Sequence, residues 1–163
     1  MSIYKDKTDI INIMETAFEV EFTDEQINVL IADENAIIKR QQGKTFVIAC
    51  KAILECLSSN ESSILVVSHN KMQSKVMKDY INVLLHRLEN YIEIHYIVGI
   101  DKIEINKSTI ALKADSRDSL RGYRQCFNYV LVDDADLISN INSLFINLLL
   151  LNLNSIAIEV RTE

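Results

Sequence analysis

Apolar residues along this 163-residue chain recur with two different periods, and the switches between them divide it into helices and strands. Thr23-Asp24-Glu25-Gln26 starts a helix. The Thr23 hydroxyl can accept from the Gln26 amide while the Gln26 side chain accepts from Thr23, and Phe22 and Ile27 stand where a hydrophobic staple closes that end. The helix is predicted to run to about Ala32. Ala36-Ile37-Ile38 predicts a short buried strand over 35–39, followed by the polar turn Arg40-Gln41-Gln42-Gly43. From Lys44 to Leu57 the spacing of Val47, Ile48, Ile53 and Leu54 is helical.

Ser58 to Ser62 is polar and reads as a loop. Ile64-Leu65-Val66-Val67 is then a continuous apolar run, the pattern of a strand covered on both faces of a parallel sheet. A helix is predicted from Met72 to Leu88. Strands are predicted at 93–98, 103–105 and 109–113, with turns at Gly99-Ile100-Asp101 and Asn106-Lys107. Tyr129 to Val132 predicts another buried strand, Ser143 to Leu151 a helix, and 155–160 a last strand. Strands alternating with helices imply an α/β fold with a mainly parallel sheet, and the middle hairpins imply an antiparallel addition at one edge. Ligands in such folds sit at the carboxyl ends of strands, where strand order reverses.

Composition narrows the picture. Gly is confined to Gly43, Gly99 and Gly122 and Pro is absent, so no flexible linker or repeat is evident and one domain is expected over 1–163. The net charge of −6 argues against a surface that grips nucleic acid all over, so any such contact must be local. Cys50, Cys56 and Cys126 lack metal-ligand spacing and predict reduced thiols in a cytosol-like compartment. The charged start, MSIYKDKTD, is not that of a signal peptide. The apolar stretch from Leu144 to Leu153 is too short to span a bilayer and is interrupted by Asn147 and Asn152.

The chemistry concentrates in two places that each follow a short apolar strand. The first is Gly43-Lys44-Thr45, between a predicted strand and a predicted helix. A glycine there lets backbone amides turn toward phosphate oxygens at the positive end of the following helix. The lysine reaches the β- and γ-phosphates, and the threonine offers a hydroxyl to Mg²⁺. Ile38 stands where the general phosphate-loop pattern has its first glycine. The second place is Val130-Leu131-Val132-Asp133-Asp134, an apolar strand ending in two carboxylates. Asp133 is the candidate Mg²⁺ ligand, directly or through water. His69 follows a predicted strand and reads as a turn-capping residue, with contact to a phosphate as the other reading. His86 and His95 are isolated, and no cluster of His, Cys, Asp or Glu suggests zinc.

Together these residues resemble the terminase large subunit family of phages and herpesviruses, in its N-terminal ATPase domain. Arg40-Gln41-Gln42-Gly43-Lys44-Thr45 resembles that family's deviant Walker A loop, which also dispenses with the first glycine and carries an arginine inside the loop. The acidic strand end resembles its Walker B, and Arg121-Gly122 resembles an Arg-Gly pair that precedes that strand. The likeness covers the chain from about Phe22 onward. It implies a RecA-like P-loop NTPase fold, with 1–21 as an N-terminal extension and no nuclease domain over these residues. The family's coupling motif is not matched at the end, where Glu159-Val160-Arg161-Thr162 stands instead.

The resemblance also implies site roles. ATP with Mg²⁺ would be held by Gln41, Gln42, Gly43, Lys44 and Thr45, with Thr45 and Asp133 on the metal. Arg40 would contact the nucleotide phosphates and couple turnover to motion; Lys39 beside it has a weaker claim. Gln26 lies where the family reads adenine, though its capping role would explain it equally well. Asp134 stands where the family has a glutamate that orients the attacking water, which predicts slow turnover. The implied partners are double-stranded DNA, a portal protein and a small terminase subunit, in a ring of identical copies. The implied place is the host cytoplasm, or the nucleus for a nuclear virus, with transient docking at the capsid portal. Two other readings remain open: a weakly or non-hydrolysing nucleotide-binding module with a regulatory or assembly role, and the first motor domain of a superfamily 2 helicase. Arg117, Arg121 and Arg124 form the most basic stretch of the sequence.

Overall fold

The computed structural model describes residues 6–32, 43–59, 61–114, 127–133 and 156–159. In chain order the elements are α1 (Lys7–Phe18), α2 (Asp24–Ile31), α3 (Lys44–Ser58), β1 (Ser63–Ser68), α4 (Lys71–Leu88), β2 (Tyr96–Val98), β3 (Lys102–Ile105), β4 (Ser108–Ala114), β5 (Tyr129–Val132) and β6 (Ile156–Glu159). The strands form one six-stranded sheet in the order β2-β3-β4-β1-β5-β6. β4, β1, β5 and β6 run parallel, while β2 and β3 are the antiparallel addition at one edge.

Burial follows strand alternation. Ile64, Val66, Ile110, Leu112 and Leu131 join a core shared with all four helices, built on residues such as Ile10, Leu30, Ile48 and Leu85. Leu65, Val67, Val130 and Val132 point to the opposite face and are buried as well. Burial on both faces explains why β1 and β5 read as unbroken apolar runs rather than alternating ones. Each such side chain contributes about 1.5–3 kcal/mol when taken fully out of water.

The segment read as an extension contains α1, whose Ile10, Ile11, Met14, Ala17 and Phe18 are buried in that core. A left-handed C-cap at Glu19 ends the helix, and the Glu15 carboxylate accepts from the Phe22 amide at 3.0 Å, which ties the connection to α2. α2 begins with the predicted capping box, and Phe22 and Ile27 both pack toward the core.

Strand β2 is shorter than its apolar pattern predicts. Asn106 turns with φ 52°, and its side-chain oxygen accepts from the His95 amide at 3.0 Å while its own amide donates to the His95 carbonyl. These bonds replace the ladder beyond Tyr96, so 93–95 are not strand. β4 is not one arm of an isolated hairpin; it pairs antiparallel with β3 and parallel with β1. The strand predicted at 35–39 and the helix at 143–151 lie outside the described residues.

A charged pair on α3 lies inside this core. Lys51, 1 % exposed, donates to the carbonyls of Leu30 and Ala32, each at 2.7 Å, and pairs with the buried Glu55 at 2.8 Å. Its ammonium also lies 5.1 Å from the centre of the Tyr129 ring. A cation at the negative end of α2 is favourable, and here it fixes that end against α3. Glu55 also accepts from Lys7 of α1 at 2.8 Å, so the carboxylate is shared by two cations and ties α1 to α3 as well. Cys50 and Cys56 are buried on the same helix, and burial pushes both thiols far above their ordinary range.

Candidate nucleotide-binding site

The site is assembled where the start of α3 meets the end of β5. Gly43 is the N-cap of α3, with φ 66° and ψ 49°, a left-handed conformation that costs a residue with a Cβ about 1–2 kcal/mol. The helix starts at once, with the Val47 amide donating to the Gly43 carbonyl at 3.0 Å. No N-cap side chain closes this end. By helix geometry the first amides of the turn have no acceptor within the helix, and the helix dipole places partial positive charge there.

Thr45 turns its hydroxyl toward the end of β5. Its Oγ1 donates to Oδ2 of Asp133 at 3.3 Å, joining residues 88 positions apart in the chain. Asp133 follows β5 directly, is 3 % exposed, and donates its amide to the Val67 carbonyl of β1 at 2.9 Å. A hydroxyl and a carboxylate brought together at this long hydrogen-bond distance are hard oxygen donors. That is the donor set Mg²⁺ takes when substrate phosphates and water complete its shell. Among the described residues no group of three His, Cys, Asp or Glu could form an all-protein metal cage.

Three aromatic contacts fix the start of α3. Phe46, the residue after Thr45, stacks on Phe22 with ring centres 5.7 Å apart. It also meets Phe18 and Tyr80 edge-on at 6.0 and 6.2 Å. Thus α1, the turn before α2, and α4 all brace the turn that carries Lys44 and Thr45.

Gln26 forms the capping box: its Oε1 accepts from the Thr23 amide at 2.9 Å, and its own amide donates to Thr23 Oγ1 at 3.2 Å. The side-chain nitrogen faces elsewhere. A Cβ placed on Gly43 would lie 3.7 Å from Gln26 Nε2, so the donor end of the side chain rests beside that glycine. The acceptor end caps the helix in the same state in which the donor end lies beside Gly43.

The structure therefore brings together Gln26, Gly43, Lys44, Thr45 and Asp133 at the carboxyl edge of the sheet. Arg40, Gln41, Gln42 and Asp134 lie outside the described residues, as do Arg117, Arg121 and Arg124. One neighbour of the site carries no signal in the sequence. Ser68, 1 % exposed at the end of β1, has a hydroxyl without a hydrogen-bond partner among the described residues. The β1–β5 register pairs Val67 with Val132, so Ser68 comes level with Asp133, and alternation puts both on the helix-covered face.

A mainly parallel sheet, a glycine-capped helix and an acidic strand end that meets the first turn of that helix define a P-loop α/β fold. Solved structures share it. The ATPase domain of the large terminase of Thermus phage P74-26 superposes with a TM-score of 0.73 over 90 % of this chain and 67 % of its own, at 16 % identity. The HK97 bacteriophage large terminase gives 0.72 over 99 % of this chain and 38 % of its own, at 13 % identity. The large terminase of the thermophilic bacteriophage D6E, in complex with ADP, gives 0.62 over 86 % and 39 %, at 14 % identity. This chain thus has the fold of phage large terminase ATPase domains, and it spans well under half the length of the HK97 and D6E proteins. No protein-family model matches the sequence, and no curated protein matches it.

Proposed function

We propose that this chain is the ATP-binding and hydrolysing motor domain of a viral DNA-packaging terminase large subunit, one that powers DNA translocation into the capsid. The Thr45–Asp133 hydrogen bond carries the reading, because it joins the two elements that a Mg²⁺-nucleotide needs at once. The ADP-bound D6E neighbour supports it by fold.

In this reading the first-turn amides of α3 and the loop residues Arg40, Gln41, Gln42 and Gly43 cradle the phosphates. Lys44 places its ammonium on the β- and γ-phosphates, and Gln26 Nε2 reaches toward the base. Thr45 and Asp133 would hold Mg²⁺, which when bound neutralises charge building up on the phosphate oxygens. Asp134 orients the attacking water, and Arg40 senses the phosphates and passes the change on as motion. Double-stranded DNA, a portal protein, a small subunit and further copies of the chain in a ring are the proposed partners. The proposed site of action is the host cell interior, at the capsid portal.

Asp134 also favours a second reading, a nucleotide-binding module that turns over little. Its carboxylate is one methylene shorter than the glutamate usual there, and misplacing a catalytic group by about 1 Å can cost roughly 100-fold in rate. Calorimetric titration with ATP, with and without Mg²⁺, tests binding. Phosphate release by the native protein and Asp134→Glu tests turnover. Faster release by the variant at unchanged affinity supports a shortened catalytic base. Binding without release in either protein supports the second reading, and no Mg²⁺-dependent ATP binding would sink both.

A further inference from the structure

Ser68 has Asp133 on one side and Ala114, its register partner on β4, on the other. Beyond Ala114 a groove of about 440 Å³ opens between α4 and the edge of the sheet. Lys71, Lys75 and Lys78 of α4 line one wall, spaced so that they share a helix face. Lys113 of β4 and the β2–β3 turn, with Ile100 and Asp101, form the other.

The four lysines divide by what already holds them. Lys78 donates to the carbonyls of Gly99 and Ile100, at 3.3 and 2.9 Å, and so braces the turn. Lys113 pairs with Asp101 at 2.6 Å, and that hydrogen bond holds the Asp101 carboxyl below the usual carboxylate range. Lys71 and Lys75 are exposed and make no ion pair among the described residues, although Asp79 lies one turn beyond Lys75 on the same helix. The groove thus has a wall set by two engaged lysines and a lip of two available ones. Among the described residues Asp101 is the single carboxylate in its lining.

On a chain of net charge −6 this concentration of cations is local, and a groove focuses its field. A row of ammonium groups along a helix suits an anion whose charges repeat along a chain. The groove also lies beside the strands that lead to Asp133, and α4 begins soon after Ser68. A polyanion seated here and a nucleotide at Asp133 would therefore contact neighbouring ends of the same parallel strands.

We propose that this groove is a binding site for the phosphodiester backbone of double-stranded DNA, with phosphates seated on Lys71 and Lys75. The choice of duplex DNA rests on the packaging reading; the anionic repeat rests on the groove itself.

The test is fluorescence anisotropy of a labelled duplex, titrated with the whole chain across a series of salt concentrations. Three proteins are compared: native, Lys71→Ala/Lys75→Ala, and Lys107→Glu. The last carries the same change in net charge on the distant β3–β4 turn. Each phosphate that is no longer neutralised lowers the slope of log affinity against log salt by about 0.9, so the double variant should show a slope shallower by about 1.8 and bind roughly tenfold or more weakly at low salt. Lys107→Glu should keep the native slope. Thermal melting and ATP titration of the double variant should match the native protein, since neither lysine belongs to α3 or its loop. Equal affinity and slope in all three proteins would overturn the site, as would no duplex binding by the native chain at low salt. A polyglutamate competitor as effective as unlabelled duplex would overturn the DNA assignment. Failure of the native chain to bind ATP would count against the packaging reading while leaving the salt slopes to judge the groove.

Discussion

Helices α3 and α4 bring their positive ends to the same edge of the sheet and finish them in opposite ways. α4 follows β1 and is closed by its own chain: Asn70 Oδ1 accepts from the Gln73 amide at 2.8 Å. α3 is preceded by a left-handed glycine and has no side-chain cap. Its first polar side chain after Lys44, that of Thr45, is turned onto a buried carboxylate from another strand. A helix end is ordinarily satisfied by a Ser, Thr, Asn or Asp at the N-cap. Leaving α3 without one makes sense if an external anion supplies the acceptors, and Asn70 makes α4 unsuitable for the same task. What anion affinity α4 has must come from side chains along its flank, which is where Lys71 and Lys75 stand. The two proposals together give one sheet edge two kinds of anion site, one made of backbone amides and one made of ammonium groups.

The sharpest way to break this distinction is to remove one lysine from each site. Lys44→Ala should weaken ATP binding by about 1.5–3 kcal/mol, roughly 10- to 100-fold, the usual worth of a hydrogen bond to a charged group. Lys71→Ala should leave ATP binding unchanged. Calorimetric titration of both variants decides it; equal losses would mean that the two sites are one, and equal affinities that Lys44 is not on the phosphates.

Gly43→Ala probes the backbone half of the contrast. A Cβ at Gly43 would meet Gln26 Nε2 at 3.7 Å and Phe46 at 3.9 Å, which are ordinary contacts, so the cost is conformational rather than steric. The variant should lose about 1–2 kcal/mol of stability for the left-handed φ, or shift the loop and bind ATP more weakly. Urea unfolding with and without nucleotide separates those outcomes. A variant as stable as the native protein and as tight for ATP would show that this turn does not need its glycine.

Asn70→Ala should do the reverse. Loss of the cap lowers stability by about 1 kcal/mol, with ATP affinity unchanged because α4 does not hold the nucleotide. A drop in ATP affinity as large as that of Lys44→Ala would mean that the two helix ends act on a common ligand.

How much of this is legible in the sequence depends on whether the signal is local. Thr23 and Gln26 announce their capping box because both halves of the interaction lie within one turn. Gly43, Lys44, Thr45 and Asp133 stand out for a similar reason: each belongs to a short local pattern, at the start of α3 or at the acidic end of β5. α1 is harder to see, because the charged start of the chain runs into it. Its Ile10, Ile11, Met14, Ala17 and Phe18 nevertheless repeat with helical spacing. Lys51 is only partly explained by its neighbours: Glu55 is one turn along the same helix, but Leu30 and Ala32 belong to the preceding helix and its exit. The lysine groove is half legible. Lys71, Lys75 and Lys78 share a face by spacing alone, but Lys113 joins them only because β4 pairs beside β1. The parallel pairing of β4 is itself hidden, because a hairpin pattern says nothing about the strand's other edge.

The smallest expected effect concerns the residue between the two sites. A buried hydroxyl without a partner loses its water and gains nothing in return, which costs about 1–3 kcal/mol. Among the described residues Ser68 is in that position, at the end of β1. Ser68→Ala removes the cost along with the hydroxyl, and it also removes a small amount of packing and strand preference. The net change in stability of the nucleotide-free chain should therefore lie near zero or favour the variant, by about 1 kcal/mol at most. Most buried Ser→Ala changes go the other way, because most buried hydroxyls are bonded. If the hydroxyl instead serves the site beside it, the same variant should bind Mg²⁺-ATP more weakly while melting no lower. Unfolding curves and ATP titrations on one preparation read both quantities. A variant that is clearly less stable, with ATP affinity unchanged, would mean that the Ser68 hydroxyl has a structural partner and that its nearness to Asp133 serves packing alone.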